Sequence, residues 1–194
     1  MTTTIDLVAG VDEVGIGALA GPVVAAVVIL GPNCVIDGIT DSKKISGKKR
    51  ESLATEIKDL ALDWAIGLSS IEEIDSLNVL KASHLAMQRA VNDLIQKPSL
   101  VLVDGDKAPE FAFRTESIVK GDQKIKEIGA ASILAKVSRD ALMKDFGTKY
   151  PDYGFDQHKG YPTREHIKKL RLNGPCDLHR KSFAPVKNWN ITTR

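Results

Sequence analysis

Two apolar runs in this chain end in carboxylates: Ile5–Val11 runs into Asp12 and Glu13, and Leu100–Val103 runs into Asp104. An apolar stretch of four to eight residues reads as a buried strand. An acid at its tip costs desolvation unless it holds something positive. Asp122, in the turn Lys120-Gly121-Asp122, adds a fourth acid. Taken singly, each of these residues reads more readily as a turn or cap acid. Together they suggest strand ends that converge on a cation, since clustered carboxylates repel until a positive ion neutralises them. With no His or Cys at these positions, an oxygen-only donor set favours Mg²⁺ or Mn²⁺ over zinc. Two such ions about 3.5–4 Å apart would clamp the attacking water and the leaving oxygen of a phosphodiester. Asp106, in Asp104-Gly105-Asp106, reads as an ordinary turn residue.

Beside the first acid pair, Gly15-Ile16-Gly17-Ala18-Leu19-Ala20-Gly21-Pro22 lets bare backbone approach a ligand. Gly15, Gly17 and Gly21 after a strand also invite comparison with a dinucleotide cradle, and hence with an oxidoreductase. That motif needs a helix to follow it, so that the helix N-terminus meets the pyrophosphate. Pro22 and the β-branched run from Val23 to Ile29 predict a strand instead.

The positioning elements follow from periodicity. Ile5–Val11 and Val23–Leu30 read as strands joined through the glycine segment. Ser46 is the expected N-cap of a helix with Leu53, Ile57 and Leu60 on one face, and Trp64–Leu68 is a strand. A second helix starts near Asn78, carries the stripe Leu80, Met87, Val91, Leu94 and Ile95, and stops before Pro98. Strands at Leu100 and near Ser117–Val119 precede a long helix around Glu127–Lys144, with Ala130, Ile133, Leu134, Val137 and Ala141 inward. A last helix spans Thr163–Asn173. Antiparallel strands giving way to alternating helices and strands predict one α/β layer domain with a mixed sheet. The boundaries are a core over 1–145 and a basic helical lobe over 146–194, forming a single structural domain.

At 194 residues the chain can bury a core without staples. Its two cysteines, Cys34 and Cys176, stand far apart and fit neither a disulfide framework nor a zinc site, which suits a reducing cytoplasm. The N-terminus lacks a signal-peptide pattern, and Val23–Leu30 is too short to span a membrane, so no membrane partner is expected. Residues 1–142 hold 16 Lys and Arg against 20 Asp and Glu, whereas 143–194 hold 11 against 5. Such asymmetry suggests either a polyanion docking on the C-terminal part or a solvated basic surface, and charge alone does not choose between them.

Val11-Asp12-Glu13-Val14-Gly15-Ile16-Gly17 with Leu19–Ala26 resembles the opening block of the ribonuclease HII family. Further blocks resemble that family in its own order: Asp41-Ser42-Lys43-Lys44, Val103-Asp104-Gly105, Lys120-Gly121-Asp122, Ala130–Asp140, Tyr153-Gly154-Phe155, His158–Thr163 and His179–Val186. The resemblance implies a ribonuclease H-like mixed sheet flanked by helices, with a C-terminal helical extension. It also implies a monomeric endoribonuclease acting on RNA/DNA hybrids and on single ribonucleotides in duplex DNA. Carried over by position, Asp12, Glu13, Asp104 and Asp122 match the metal-site carboxylates, loaded with Mn²⁺ or Mg²⁺. Gly15, Ile16 and Gly17 match a Gly-Arg-Gly segment whose backbone senses the ribose 2′-hydroxyl, the group that separates RNA from DNA. Tyr161 matches a tyrosine packed on the sugar, and Ser42 and Lys43 match substrate-backbone contacts.

Two departures stand out. Ile16 replaces the family arginine, removing any phosphate contact by that side chain, and Gln123–Glu127 replaces a serine-rich stretch, bringing Glu127 near the acids. Loss of the arginine leaves a non-catalytic hybrid-binding module as the alternative, against which the full set of four acids argues. His84 reads as a core histidine on its helix; His158, His166 and His179 lie in the basic lobe, where structural hydrogen bonding and catalysis both stand open for His158 and His179.

Overall fold

The computed structural model describes residues 6–39 and 45–189. Five strands form one mixed sheet in the order β3-β2-β1-β4-β5. Strands β1 (Val8–Val14), β2 (Val23–Ile29) and β3 (Asp63–Ser69) pair antiparallel. Strands β4 (Leu100–Asp104) and β5 (Arg114–Ile118) continue the sheet parallel to β1. All seven residues of β2 are buried, because helices cover both faces of a strand near the middle of the sheet. Alternation along the strands sends Val11, Val23, Ala25, Val27, Val101 and Val103 into one core with helix α3 (Val79–Asn92). Ala26 and Val28 face the other way, onto α1 (Gly47–Leu60) and α4 (Lys126–Lys149).

Helix starts follow their side-chain caps: Ser46 accepts from the Lys49 N–H, Asn78 from the Leu80 and Lys81 N–H groups, and Thr163 from the His166 N–H. A short helix, α2 (Ile71–Leu77), is absent from the periodicity reading, although Ser70 and Glu73 form a reciprocal capping box at its start. The α3 stripe is shorter than expected. Leu80, in the first turn, is 48% exposed, and Ile95, beyond the C-cap Asp93, is 83% exposed. Leu60 and Ala141 are exposed as well, and His84 is only half-buried, beside a surface hollow that also takes in Asp106.

Position 145/146 falls inside α4, so one helix carries the chain from the sheet to the C-terminal segments. These contain α5 (Phe155–His158) and α6 (Arg164–Asn173). They close onto the glycine segment through backbone: Leu19 N–H donates to Gly160 O (2.8 Å), Gly21 N–H to Leu178 O (2.9 Å), and Arg180 N–H to Leu19 O (2.8 Å). Ala20, Met143, Tyr153, Phe155 and Leu178 form a core of their own there. Among the described residues no helix is long and apolar enough to cross a membrane.

Candidate active site

Asp12 and Glu13 lie within β1, not beyond it, opposite Ala26 and Ala25 of β2. The strand tolerates them because β4 stops pairing with it at Val11, opposite Val103. Asp104 is the last residue of β4. Its Oδ1 accepts the Gly121 N–H at 2.6 Å, which ties the Lys120-Gly121-Asp122 turn to the end of that strand. The turn needs Lys120 in the left-handed region (φ 56°) and opens a 3₁₀ segment, Gly121–Gln123.

The four acids come together with Val14, Ser132, Lys136 and Tyr161 around one pocket of about 380 Å³. Among the described residues no three His, Cys, Asp or Glu side chains are gathered into a ready-made metal cage, so what the acids share is a pocket. Its donor chemistry is nonetheless that of a hard cation: four carboxylates and the hydroxyls of Ser132 and Tyr161, with no His or Cys in the lining. Asp12 is 7% exposed, and burial, reinforced by Glu13 and Asp104, holds its carboxyl well above the usual carboxylate range. A hydrogen bond from Ser132 and another from the Glu13 N–H (2.7 Å) pull the other way.

Helix α4 supplies the remaining polar groups. Its first turn presses on β1 at Gly10, where a Cβ would stand 2.2 Å from the Glu127 carbonyl carbon. That contact sets Ser132 and Lys136, one turn apart, toward the acids. Lys136 Nζ pairs with Asp140 at 2.7 Å and stands 5.8 Å from the centre of the Tyr161 ring. Glu127 is buried 3.8 Å from the Lys126 ammonium and does not line the pocket.

The glycine turn adjoins the pocket without lining it. Gly15 takes φ +102°, Ile16 is half-buried and Gly17 is exposed. A strand follows the segment, so no helix N-terminus meets it and the dinucleotide-cradle reading fails. Ser42 and Lys43 lie outside the described residues.

Residue-type reasoning missed Ser132 and Lys136. Both sit in the block Ala130–Asp140, where their spacing of four on one helix was the available signal. It also missed two fully buried arginines, Arg139 and Arg180.

A model of the ribonuclease HII family matches residues 9–186, nearly the whole chain and every element that builds this pocket. The chain belongs to the ribonuclease HII family. Ribonuclease HII of Bordetella avium (strain 197N) is 55% identical over 185 residues, covering 95% of this chain and 92% of that one. Ribonuclease HII of Janthinobacterium sp. (strain Marseille) is 54% identical over 182 residues, covering 94% and 87%. Among solved structures, ribonuclease H2 from Pyrococcus horikoshii OT3 superposes with a TM-score of 0.80 at 26% identity, covering 95% of this chain and 97% of that one. Bst-RNase HIII, solved in complex with Mn²⁺, shares the fold at a TM-score of 0.73 and 17% identity, with 98% and 71% coverage. As a ribonuclease HII family member the chain is an endoribonuclease, a hydrolase of phosphodiester bonds.

Proposed function

We propose that this member of the ribonuclease HII family hydrolyses the RNA strand of RNA/DNA hybrids and nicks duplex DNA at single embedded ribonucleotides, leaving 3′-hydroxyl and 5′-phosphate ends. The observation that carries the reading is the meeting of Asp12, Glu13, Asp104 and Asp122 in one pocket that Tyr161 and Lys136 complete. Asp12, Glu13, Asp104 and Asp122 would hold Mn²⁺ or Mg²⁺. Divalent cations there supply Lewis-acid stabilisation of the charge that builds on the phosphoryl oxygens and activate the attacking water.

The chain's own groups do the rest. Ser132 donates to Asp12 and keeps that carboxylate oriented as a ligand. Lys136 places an ammonium beside the pocket, where a phosphate must enter. The Tyr161 ring packs against the sugar, and the backbone of Gly15, Ile16 and Gly17 reads the 2′-hydroxyl, which is recognised and not used as nucleophile. Ser42 and Lys43 contact the substrate backbone. Next to Tyr161, Pro162 opens a groove lined by Arg164, Lys168 and Arg171, a basic flank suited to the phosphates of the bound duplex.

The test is cleavage of a duplex carrying one ribonucleotide in Mg²⁺ or Mn²⁺, with the ends analysed. A 3′-hydroxyl and a 5′-phosphate are expected. Cyclic phosphate would mean that the 2′-hydroxyl attacks, contrary to this mechanism.

A further inference from the structure

We propose that Arg139 is a positioning residue for ribonucleotide recognition: a buried cation that fixes the turn at Gly15 against the ring of Tyr161. The inference rests on the reading that this turn and Tyr161 meet the ribose.

Arg139 projects from α4 and is fully buried, and among the described residues it has no carboxylate partner. The adjacent Asp140 is taken by Lys136 at 2.7 Å and by Arg50 at 3.8 Å. Instead the Arg139 guanidinium donates to three main-chain carbonyls: Nε to Pro22 (2.9 Å), one terminal nitrogen to Ala20 (3.0 Å) and the other to Lys159 (2.9 Å). Its Cζ lies 5.4 Å from the centre of the Tyr161 ring, and its Nε stands 2.3 Å from where a Cβ on Gly15 would be. One side chain therefore touches the glycine turn, the end of the glycine segment, the loop before Tyr161, and Tyr161 itself.

Arg180 secures the same segment by donating to Gly21 O from two nitrogens (3.0 and 2.8 Å) and to Ile16 O from the third (2.9 Å). The carbonyls of Ile16, Ala20, Gly21 and Pro22 are thus all held by guanidinium groups. Peptide planes fastened in this way cannot turn to meet a substrate that lacks the matching hydroxyl. Burying a guanidinium with no carboxylate in salt-bridge contact is costly, and the cost is offset here by the three carbonyls its donors satisfy. What the guanidinium adds is a planar fork of donors that spans separate chain segments at fixed angles.

The test uses binding, with the Asp104→Asn protein titrated with a duplex carrying one ribonucleotide and with its all-deoxy counterpart. Arg139→Lys, which keeps the charge and loses the fork, should cut the preference for the ribonucleotide duplex by about ten-fold or more, with all-deoxy affinity little changed. In a Tyr161→Ala background the same change should cause no further loss of preference. Equal losses on both duplexes, or additive losses in the double variant, would show that Arg139 serves the fold alone. Absence of any preference with Arg139 in place would instead overturn the ribonucleotide reading. Should Arg139→Lys fail to fold, the Arg139 Nε–H resonance of the Asp104→Asn protein decides. A shift on adding the ribonucleotide duplex but not the all-deoxy one supports the proposal, and the same response to both overturns it.

Discussion

His166 and His179 meet Nε2 to Nε2 at 3.1 Å, so one of these buried rings carries a proton there and the other does not. The neighbours decide which. The Cys176 N–H donates to His179 Nδ1 at 3.0 Å, so His179 bears its proton on Nε2 and donates to His166. His166 then holds its own proton on Nδ1 and donates to the Tyr161 carbonyl at 2.9 Å. This relay fixes the backbone of the residue that faces the acids, and it exists only while both rings are neutral.

Burial pushes His166 and His179 down to about 4, each ring adding to or sharing in the repulsion among the stacked histidines of the lobe. An unfolded histidine titrates near 6.5, so between roughly pH 6.5 and 4 the unfolded chain binds more protons than the folded one. The stabilisation is therefore complete above the unfolded value and is lost as the pH falls toward the folded value. Melting temperature measured from pH 8 to pH 4 should fall chiefly in that window. His166→Gln should flatten the fall, and a flat wild-type profile would contradict the relay.

Asp12 makes the opposite exchange between function and stability. Its raised pKa means that the ionised carboxylate weakens the fold at neutral pH, since stability gained by protonation is lost as the pH rises through the folded value. Asp12→Asn should lower turnover on the order of 10³-fold or more, yet melt at or above the wild-type temperature in EDTA. Turnover near the wild-type rate would remove Asp12 from the machinery.

Gly10 is the contact through which α4 registers on β1. Gly10→Ala would put a Cβ 2.2 Å from the Glu127 carbonyl carbon and 2.3 Å from the Ile128 nitrogen, both main-chain atoms. Overpacking of this kind costs about 1–3 kcal/mol. A lowered denaturation midpoint with an unchanged m-value is the expected result, and an unshifted midpoint would mean that α4 gives way freely.

Ile16 stands at the position where the family resemblance implies an arginine, and its carbonyl is already held by Arg180 at 2.9 Å, so backbone placement there does not depend on the side chain. Ile16→Arg should tighten binding to the hybrid and steepen the slope of log K against log[salt] by about 1, with the same product ends. An unchanged slope would show that no phosphate comes within reach of this position.

Much of this was legible in the chain. The apolar runs gave β1, β2 and β4, and Ser46, Asn78 and Thr163 marked helix starts because a side-chain oxygen that caps an N–H is a local property. Asp12, Glu13, Asp104 and Asp122, named from type and position, share a pocket with Tyr161, which only the family resemblance had supplied. What escaped depends on distant contacts. Residues 71–77 bury only Ile74, too little for a periodic signal, although the Ser70–Glu73 capping box was there to be read. Arg139 and Arg180 escaped because charged side chains are almost never fully buried, and what holds them here is main-chain carbonyl, which leaves no trace in residue type. The acids of β1 lie inside the strand because β2 continues to pair alongside them, a register that an apolar run ending at Val11 cannot reveal.

Anomalous diffraction from crystals soaked in Mn²⁺ tests the central claim most directly. Manganese peaks bounded by the carboxylates of Asp12, Glu13, Asp104 and Asp122 are the predicted result. Saturating Mn²⁺ that leaves those four side chains without a peak, or that binds at other acids only, would contradict the account.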